Sequence, residues 1–158
     1  MNWAEVTAIA TCVLAVGLLG GFGAAIFAAM QVREAHRSRE AQMAAEFFRR
    51  WNEERLVEAR RLVGRFKSSD ELTEALARYV ATDAPEAYVL YRELDYFEQL
   101  GALEDHGGVH FGLIRTMLGR RLIDRWQLWA PSIEAIGGAD VYPMFTRLVA
   151  KMRASTRE

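Results

Sequence analysis

Residues 6–30 read VTAIATCVLAVGLLGGFGAAIFAAM and contain no charged side chain. The uncharged stretch continues to Val32, so that twenty-seven residues separate Glu5 from Arg33. A helix needs about twenty apolar residues to cross a hydrocarbon core of about 30 Å. Residues 1–32 are therefore predicted to form a transmembrane anchor. A cleaved signal peptide is the alternative, but such peptides have a basic first segment and a shorter apolar run, whereas this chain begins MNWAE.

The charges that flank the run predict its orientation. Arg33, Arg37 and Arg39 follow it closely, whereas Glu5 precedes it. Because basic residues collect on the cytoplasmic side, the sequence predicts a membrane protein with its N-terminus outside and its C-terminal domain in the cytoplasm. The three arginines are predicted to contact lipid headgroups, and the Trp3 indole to lie at the outer interface.

Small residues inside the run predict a surface for contact with another helix in the membrane. In lipid, small side chains let two helices approach closely enough for van der Waals contact to hold them together. The partner would be a second copy or another membrane-protein subunit, and a lipid-exposed run that tolerates glycine is the alternative. The predicted contact residues are Gly17, Gly20, Gly21, Ala24 and Ala25.

Beyond the run, apolar residues recur at the spacing of amphipathic helices. Phe47 and Trp51 lie four residues apart, and neither proline nor glycine occurs between Met30 and Val63. This predicts a stalk helix over residues 33–66 that continues from the anchor, although a break near Ser38 stays open.

Capping and stop residues predict the later helices. Ser68 and Glu71 form a capping box, Pro85 begins a third helix, a fourth must end before Pro131, and Asp140 caps the last. The apolar faces predict a core that includes Leu72, Leu76, Val80, Leu90, Leu94, Phe97, Leu100, Ile114, Leu118, Leu122, Trp126, Trp129, Val141, Phe145, Leu148, Val149 and Met152.

The predicted fold class is all-α: one N-terminal transmembrane helix followed by an irregular bundle of four to five cytoplasmic helices over residues 33–158. No alternating pattern with a hairpin signal predicts a strand. The third helix has two allowed ends, at Gly101 or at the glycine pair that follows Asp105.

Charge is segregated along this domain. Residues 33–67 carry a net charge of +4, residues 70–105 of −8 and residues 106–158 of +4. Two interpretations stay open: the acidic block folds against its basic neighbours, or the blocks bind partner proteins.

The segment EDHGGVH, residues 104–110, is the candidate metal site, because two histidines four residues apart on one helix bind zinc. His106 and His110, however, are separated by Gly107 and Gly108, which favour a break in the helix. A polar turn between helices is therefore predicted instead of a metal site.

No other segment predicts catalysis. Glu93, Asp95 and Glu98 are predicted to be solvated, and Cys12 is the only cysteine. Without a phosphate-binding loop, nucleophile elbow or zinc-protease motif, we predict no enzyme and no cofactor. The fourth predicted helix is basic, with Arg115, Arg120, Arg121 and Arg125. Because its aromatic residues fall on the apolar stripe instead of among the arginines, no nucleic-acid partner is predicted. The arginines would face water, the acidic block or the membrane.

Several segments resemble a known bacterial family. They are the anchor, AEFFRRW at residues 45–51, the Ala59–Arg60 pair and residues 88–108. Together they are similar to family 4760 of the domains of unknown function. That family has a phenylalanine-glutamate step followed by a leucine-rich turn and a glycine, and the matching residues of this chain are Phe97, Glu98, Leu100, Leu103 and Gly107. The resemblance implies a small single-pass protein with a cytoplasmic helical part, and it implies no activity.

The function expected from these features is that of a non-enzymatic accessory or scaffolding subunit in a larger inner-membrane complex, of respiratory or photosynthetic type for example. Its partners would be membrane lipid and other membrane-protein subunits, or a second copy. The alternative is a membrane-tethered signalling or defence module that binds a soluble partner.

Overall fold

The computed structural model describes residues 2–156, except for the side chains of residues 4–24 and 139. Within this range the chain forms six α-helices, one short 3-10 helix and no strand, which confirms the predicted all-α class. The helices are α1 (Trp3–Trp51), α2 (Glu54–Val63), α3 (Ser69–Ala81), α4 (Pro85–Asp105), α5 (Phe111–Ala135) and α6 (Pro143–Ser155), with the 3-10 helix at Gly138–Asp140.

The chain divides into two units, of which the first ends at Arg39 and the second begins at Glu40. In the first unit, the described part of α1 carries exposed apolar side chains at Ile26, Phe27, Met30 and Val32. Over the residues that the structure describes, no helix is both long enough and apolar enough to cross a membrane. Most of the predicted span lies outside the described side chains.

The end of α1 belongs to the core of the second unit. Phe47 stacks on Tyr96 with 4.4 Å between ring centroids, and the Trp51 ring lies 5.7 Å from that of Phe97. Helix α1 passes Ser38 without a break and ends at Trp51, so a turn before Glu54 interrupts the predicted stalk. This turn allows side chains on both sides of it to reach the same core.

Helix α4 is the central helix of the second unit, because α2, α3 and α6 all pack against it, while α5 packs against α3 and α6. It continues through Gly101 to Asp105, the later of the two predicted ends. A Cβ added at Gly101 would lie 2.9 Å from the Cβ of Met144 and closer still to its carbonyl group. Glycine at this position therefore lets α4 and α6 approach each other closely.

Most of the predicted core is confirmed. The largest fully buried side chains are Trp129, Phe97, Phe145, Leu72, Leu76, Leu90, Leu94, Leu100, Ile114, Leu122, Ile133 and Leu148. Val80 and Val141, which were also predicted for the core, are exposed. Each lies near the end of its helical segment. Among the described residues, no neighbouring helix covers either side chain there.

The predicted capping box is present at the start of α3. The Ser68 hydroxyl accepts a hydrogen bond from the Glu71 backbone N–H at 3.2 Å, while the Glu71 carboxylate accepts one from Lys67 N at 2.7 Å. In a standard capping box the glutamate accepts from the backbone N–H of the N-cap residue, whereas here Glu71 accepts from the residue before the cap. The Ser68 hydroxyl satisfies one unpaired N–H group of the first helical turn, and the Glu71 carboxylate binds the preceding residue to that turn.

Two predicted helix ends are wrong. Helix α5 does not end before Pro131 but continues to Ala135, because Trp129, Ser132 and Ile133 are buried on one side and hold the helix together across the proline. Asp140 does not cap α6, which begins at Pro143. The carboxylate of Glu98 on α4 instead accepts hydrogen bonds from the first backbone N–H groups of α6, at 3.1 and 2.9 Å.

Acidic residues of α4 fold against basic residues of its neighbours, as one of the two interpretations of the charge pattern requires. Arg147 lies 3.4 Å from Asp105, Lys151 contacts Glu104, and both pairs join α6 to α4. The Arg147–Asp105 pair is exposed and contributes at most about 1 kcal/mol, whereas the Glu104 carboxylate is largely covered.

Candidate functional site

The predicted membrane-contact residues fall into two groups. Gly17, Gly20, Gly21 and Ala24 lie outside the described side chains, so the structure does not test their contacts. Ala25, Trp3, Arg33, Arg37 and Arg39 are all exposed. Exposure is compatible with contact to lipid or to a partner helix, and the headgroup and interface contacts stay predictions.

Both histidines of the predicted turn bind helix ends. His106 Nδ1 lies 2.9 Å from the Ala102 carbonyl oxygen at the end of α4, and His110 Nδ1 accepts a hydrogen bond from Gly112 N at the start of α5. Gly107 between them has φ of +71°, a left-handed conformation that glycine adopts easily. The break in the helix is thus confirmed. No metal-binding group of three His, Cys, Asp or Glu occurs within the described part of the chain.

Glu93 contradicts the prediction that the carboxylates of α4 are solvated, because its side chain is 0% exposed. Trp129 Nε1 donates a hydrogen bond to Glu93 Oε2 at 3.1 Å, and Arg125 Nε forms an ion pair with Oε1 at 3.3 Å. Burial raises the pKa of the Glu93 carboxyl, and the Arg125 charge opposes that rise. Glu98 is half-buried as the α6 cap. Asp95 is the most exposed of the three, although partial burial raises the pKa of its carboxyl.

The sequence contained a signal for the burial of Glu93. The residue comes three positions after Leu90 and four before Phe97, so it lies on the apolar stripe of α4. A carboxylate on such a stripe must pair with a cation or a hydrogen-bond donor when another helix covers it. Arg125 and Trp129, four residues apart on α5, provide both.

Arg60 on α2 is held by contacts that leave its outer nitrogens available. Its guanidinium carbon lies 4.3 Å from the centre of the Trp51 ring, and its Nε donates a hydrogen bond to the Leu56 carbonyl at 3.4 Å. The Trp51 side chain is itself 8% exposed. Stacking on an aromatic face fixes the plane of the guanidinium group and stabilises its charge.

These residues border a cleft of about 550 Å³ between the end of α1, α2 and α5. We call it the arginine cleft, and it is lined by Trp51, Arg60, Arg121, Asp124, Arg125 and Leu128. The cleft thus brings together cations from two helices that are far apart in the sequence. Glu93 lies behind Arg125 and orients it.

The electrostatics of the arginine cleft favour an anion. Burial lowers the pKa of Arg60, the charges of Arg121 and Arg125 lower it further, and Glu93 opposes them. The charges of Arg121 and Arg125 therefore repel that of Arg60. Two acids oppose them, exposed Asp124 in the lining and buried Glu93 behind Arg125, so three arginines still outnumber the acids when Glu93 is ionised.

A second cleft, of about 580 Å³, lies along α2 and has a different charge pattern. Three arginines and three glutamates line it, and they are Arg55, Arg61, Arg65, Glu54, Glu58 and Glu86. Because opposite charges are equal in number there, that surface has no excess of cations. The arginine cleft is the better candidate for a binding site.

Sequence reasoning noted Arg121 and Arg125 as part of a basic helix but predicted that they face water, the acidic block or the membrane. It did not connect them with Arg60 or Trp51, because Arg60 precedes Arg121 by 61 residues and Trp51 precedes it by 70. The spacing of Arg121, Arg125 and Trp129 does place all three on one side of α5, which was the available signal.

A family model described as "Domain of unknown function (DUF4760)" matches residues 16–152. This range includes most of α1 and all residues of the arginine cleft. No curated protein matches the chain, and no solved structure matches it.

Proposed function

The chain belongs to the DUF4760 family, whose function is unknown, and we propose that it acts as a non-enzymatic accessory subunit of a larger inner-membrane complex. In this proposal, α1 anchors the protein and contacts a partner helix in the membrane. The helical domain lies in the cytoplasm and presents its charged surfaces to the rest of the complex. Respiratory and photosynthetic assemblies are examples of suitable hosts.

One observation carries the proposal: the described end of the apolar run exposes large apolar side chains immediately before a basic segment. Ile26, Phe27, Met30 and Val32 have exposed fractions between 58% and 65%, and Arg33 follows them. Clustered apolar exposure on one helix supports contact with lipid or with another protein. Basic residues directly after it support a cytoplasmic position for the segment that follows.

The first experiment tests the membrane location. The tagged full chain should sediment with membranes, resist extraction by alkaline carbonate and dissolve in mild detergent. Protease added to the outside of intact cells should leave the helical domain uncleaved if that domain is cytoplasmic. Release by carbonate would contradict the anchor, and cleavage of the domain from outside would contradict the orientation.

The second experiment tests association in the membrane. Replacing Gly21 with Leu should reduce co-purification of partner subunits, because the larger side chain prevents close approach of two helices. Gly23→Leu is a matched control, since residue 23 lies on the other side of the helix from residue 21. Equal effects of the two substitutions would contradict a contact through the predicted glycine surface.

Native mass measurement in gentle detergent distinguishes the proposed role from its alternatives. The proposal expects a stoichiometric complex that remains intact at high salt. A partner that high salt removes, while the protein stays in the membrane, would favour a tethered module that binds a soluble protein through charge. A monomer that co-purifies with a metal or an organic cofactor would contradict a non-enzymatic subunit.

A further inference from the structure

We propose that the arginine cleft binds a phosphate group, carried either by a small molecule or by a lipid headgroup. The proposal concerns a site in the helical domain and does not depend on the accessory role or on the anchor. It rests on the position of three arginines, on the contacts that orient two of them, and on the excess of positive charge.

The donors of the cleft are suited to phosphate. Each guanidinium group presents a planar fork of N–H donors that matches two oxygens of a phosphate or carboxylate. A carboxylate has two oxygens with about four acceptor positions in one plane, whereas a terminal phosphate has three oxygens that accept bonds from several directions. Arg60, Arg121 and Arg125 together offer more donors than one carboxylate accepts.

Two of the three arginines are held in place before any ligand binds. Arg60 is stacked on Trp51 and bonded to a backbone carbonyl, and Arg125 is paired with buried Glu93. Both use Nε for the protein hydrogen bond or ion pair. Among the described residues, no protein acceptor forms a hydrogen bond with their terminal nitrogens, which remain available to a ligand. Groups fixed in this way lose less side-chain entropy when they bind.

Arg121 differs, because it is exposed and forms no ion pair or hydrogen bond within the described part of the chain. Its charge nevertheless acts on Arg60 across the cleft. A bound phosphate would relieve the repulsion among the three cations. Arg121 is also the arginine whose replacement disturbs the protein least, which makes it the appropriate residue for a test.

The size of the cleft agrees with a small ligand. Its volume of about 550 Å³ falls in the range of about 300–1,000 Å³ that is usual for small-molecule sites. Leu128 and the Trp51 ring supply apolar surface for the part of the ligand that carries the phosphate. Exposed Asp124 in the lining is an acceptor for a hydroxyl or amino group on that part.

The test uses the purified full chain in neutral detergent at an ionic strength of about 0.15 M, where nonspecific attraction is screened. Inorganic pyrophosphate is the soluble probe and short-chain phosphatidic acid is the lipid probe, and calorimetric titration measures both. The proposal expects saturable binding of at least one probe with one site per chain. Binding of pyrophosphate alone assigns the site to a soluble phosphate compound, and binding of phosphatidic acid alone assigns it to a lipid headgroup.

Arg121→Glu should weaken the binding about ten-fold or more, because it replaces a charge-assisted donor with a repelling carboxylate. Arg120→Glu is the matched control: it makes the same charge change at the neighbouring exposed position of α5, outside the cleft. We expect it to change the affinity less than about two-fold. Circular dichroism checks that both variants are folded, and Arg121→Gln, with a smaller loss of affinity, provides a second variant.

Three results would overturn the proposal. The first is that neither probe binds saturably. The second is that R121E and R120E weaken binding equally, which would indicate attraction to the whole basic surface. The third is that an oligoglutamate peptide binds with the same dependence on Arg121 while both phosphate probes fail. That outcome would assign the cleft to an acidic segment of a protein partner.

Discussion

Replacing Gly101 with Ala should overpack the contact between α4 and α6 and destabilise the protein. The added Cβ would lie 2.5 Å from the carbonyl carbon of Met144 and 2.9 Å from its Cβ, and backbone atoms of α6 cannot move away as a flexible side chain could. Overpacking of this kind costs about 3 kcal/mol, while the higher helix propensity of alanine returns about 1 kcal/mol. The net loss in the free energy of unfolding should be about 2 kcal/mol.

Gly119→Ala is the matched control, because Gly119 is also a buried glycine inside a helix, on α5. Its added Cβ would lie 3.4 Å from Met152 Sδ, an ordinary contact with a flexible side chain. This variant should keep the propensity gain of up to about 1 kcal/mol and unfold at an equal or higher urea concentration than the wild type. Urea unfolding of the full chain in neutral detergent, followed by tryptophan fluorescence, measures both. Equal stability of G101A and G119A would refute the argument.

The remaining predictions concern two carboxylates of α4. Because burial raises the pKa of Glu93 above its ordinary 4.5, the folded protein binds this proton more tightly than the unfolded chain, so stability falls as the pH rises from 4.5 through the raised pKa. Glu93→Gln should reduce the dependence of the free energy of unfolding on pH, which urea unfolding at several pH values measures. The part due to Asp95 should remain, because burial raises its pKa as well. An unchanged dependence on pH would contradict the assignment to Glu93. Glu98→Ala should lower the free energy of unfolding by about 1–2 kcal/mol, because it removes the acceptor for two N–H groups of α6. The exposed neighbour Gln99, replaced with Ala, should cost less than about 0.5 kcal/mol in the same assay, and a comparable loss would contradict the capping role.

Local patterns predicted the helices where the deciding interactions are close in sequence. The hydroxyl of Ser68 reaches an N–H three residues away, and Pro85 begins α4 through its fixed φ angle. The apolar stripes of α4 and α5 also predicted most of the core. These features depend on chain geometry within one or two helical turns, so a single sequence suffices to identify them.

The same reasoning failed where a distant segment supplies the deciding contact. Asp140 was the expected cap of α6, but the carboxylate of Glu98 on α4 satisfies those backbone groups from another helix. Pro131 was expected to stop α5, but burial of the residues around it outweighs the one hydrogen bond that proline removes. The helix propensities of two residue types differ by about 3 kcal/mol at most, and the free energy gained by burying side chains against other helices outweighs that difference.

The uncharged run and the helical period established an all-α chain with a candidate anchor, because burial of apolar surface and backbone hydrogen bonding follow from local composition. The arginine cleft depends on contacts among α1, α2, α4 and α5, which no local spacing specifies. Glu93 shows the physical reason. Its place on the apolar stripe of α4 is visible in the sequence, but its partners are not. Only the covering helix α5, which brings Trp129 and Arg125 to it, makes Glu93 the buried group that holds Arg125 in the cleft with Arg60.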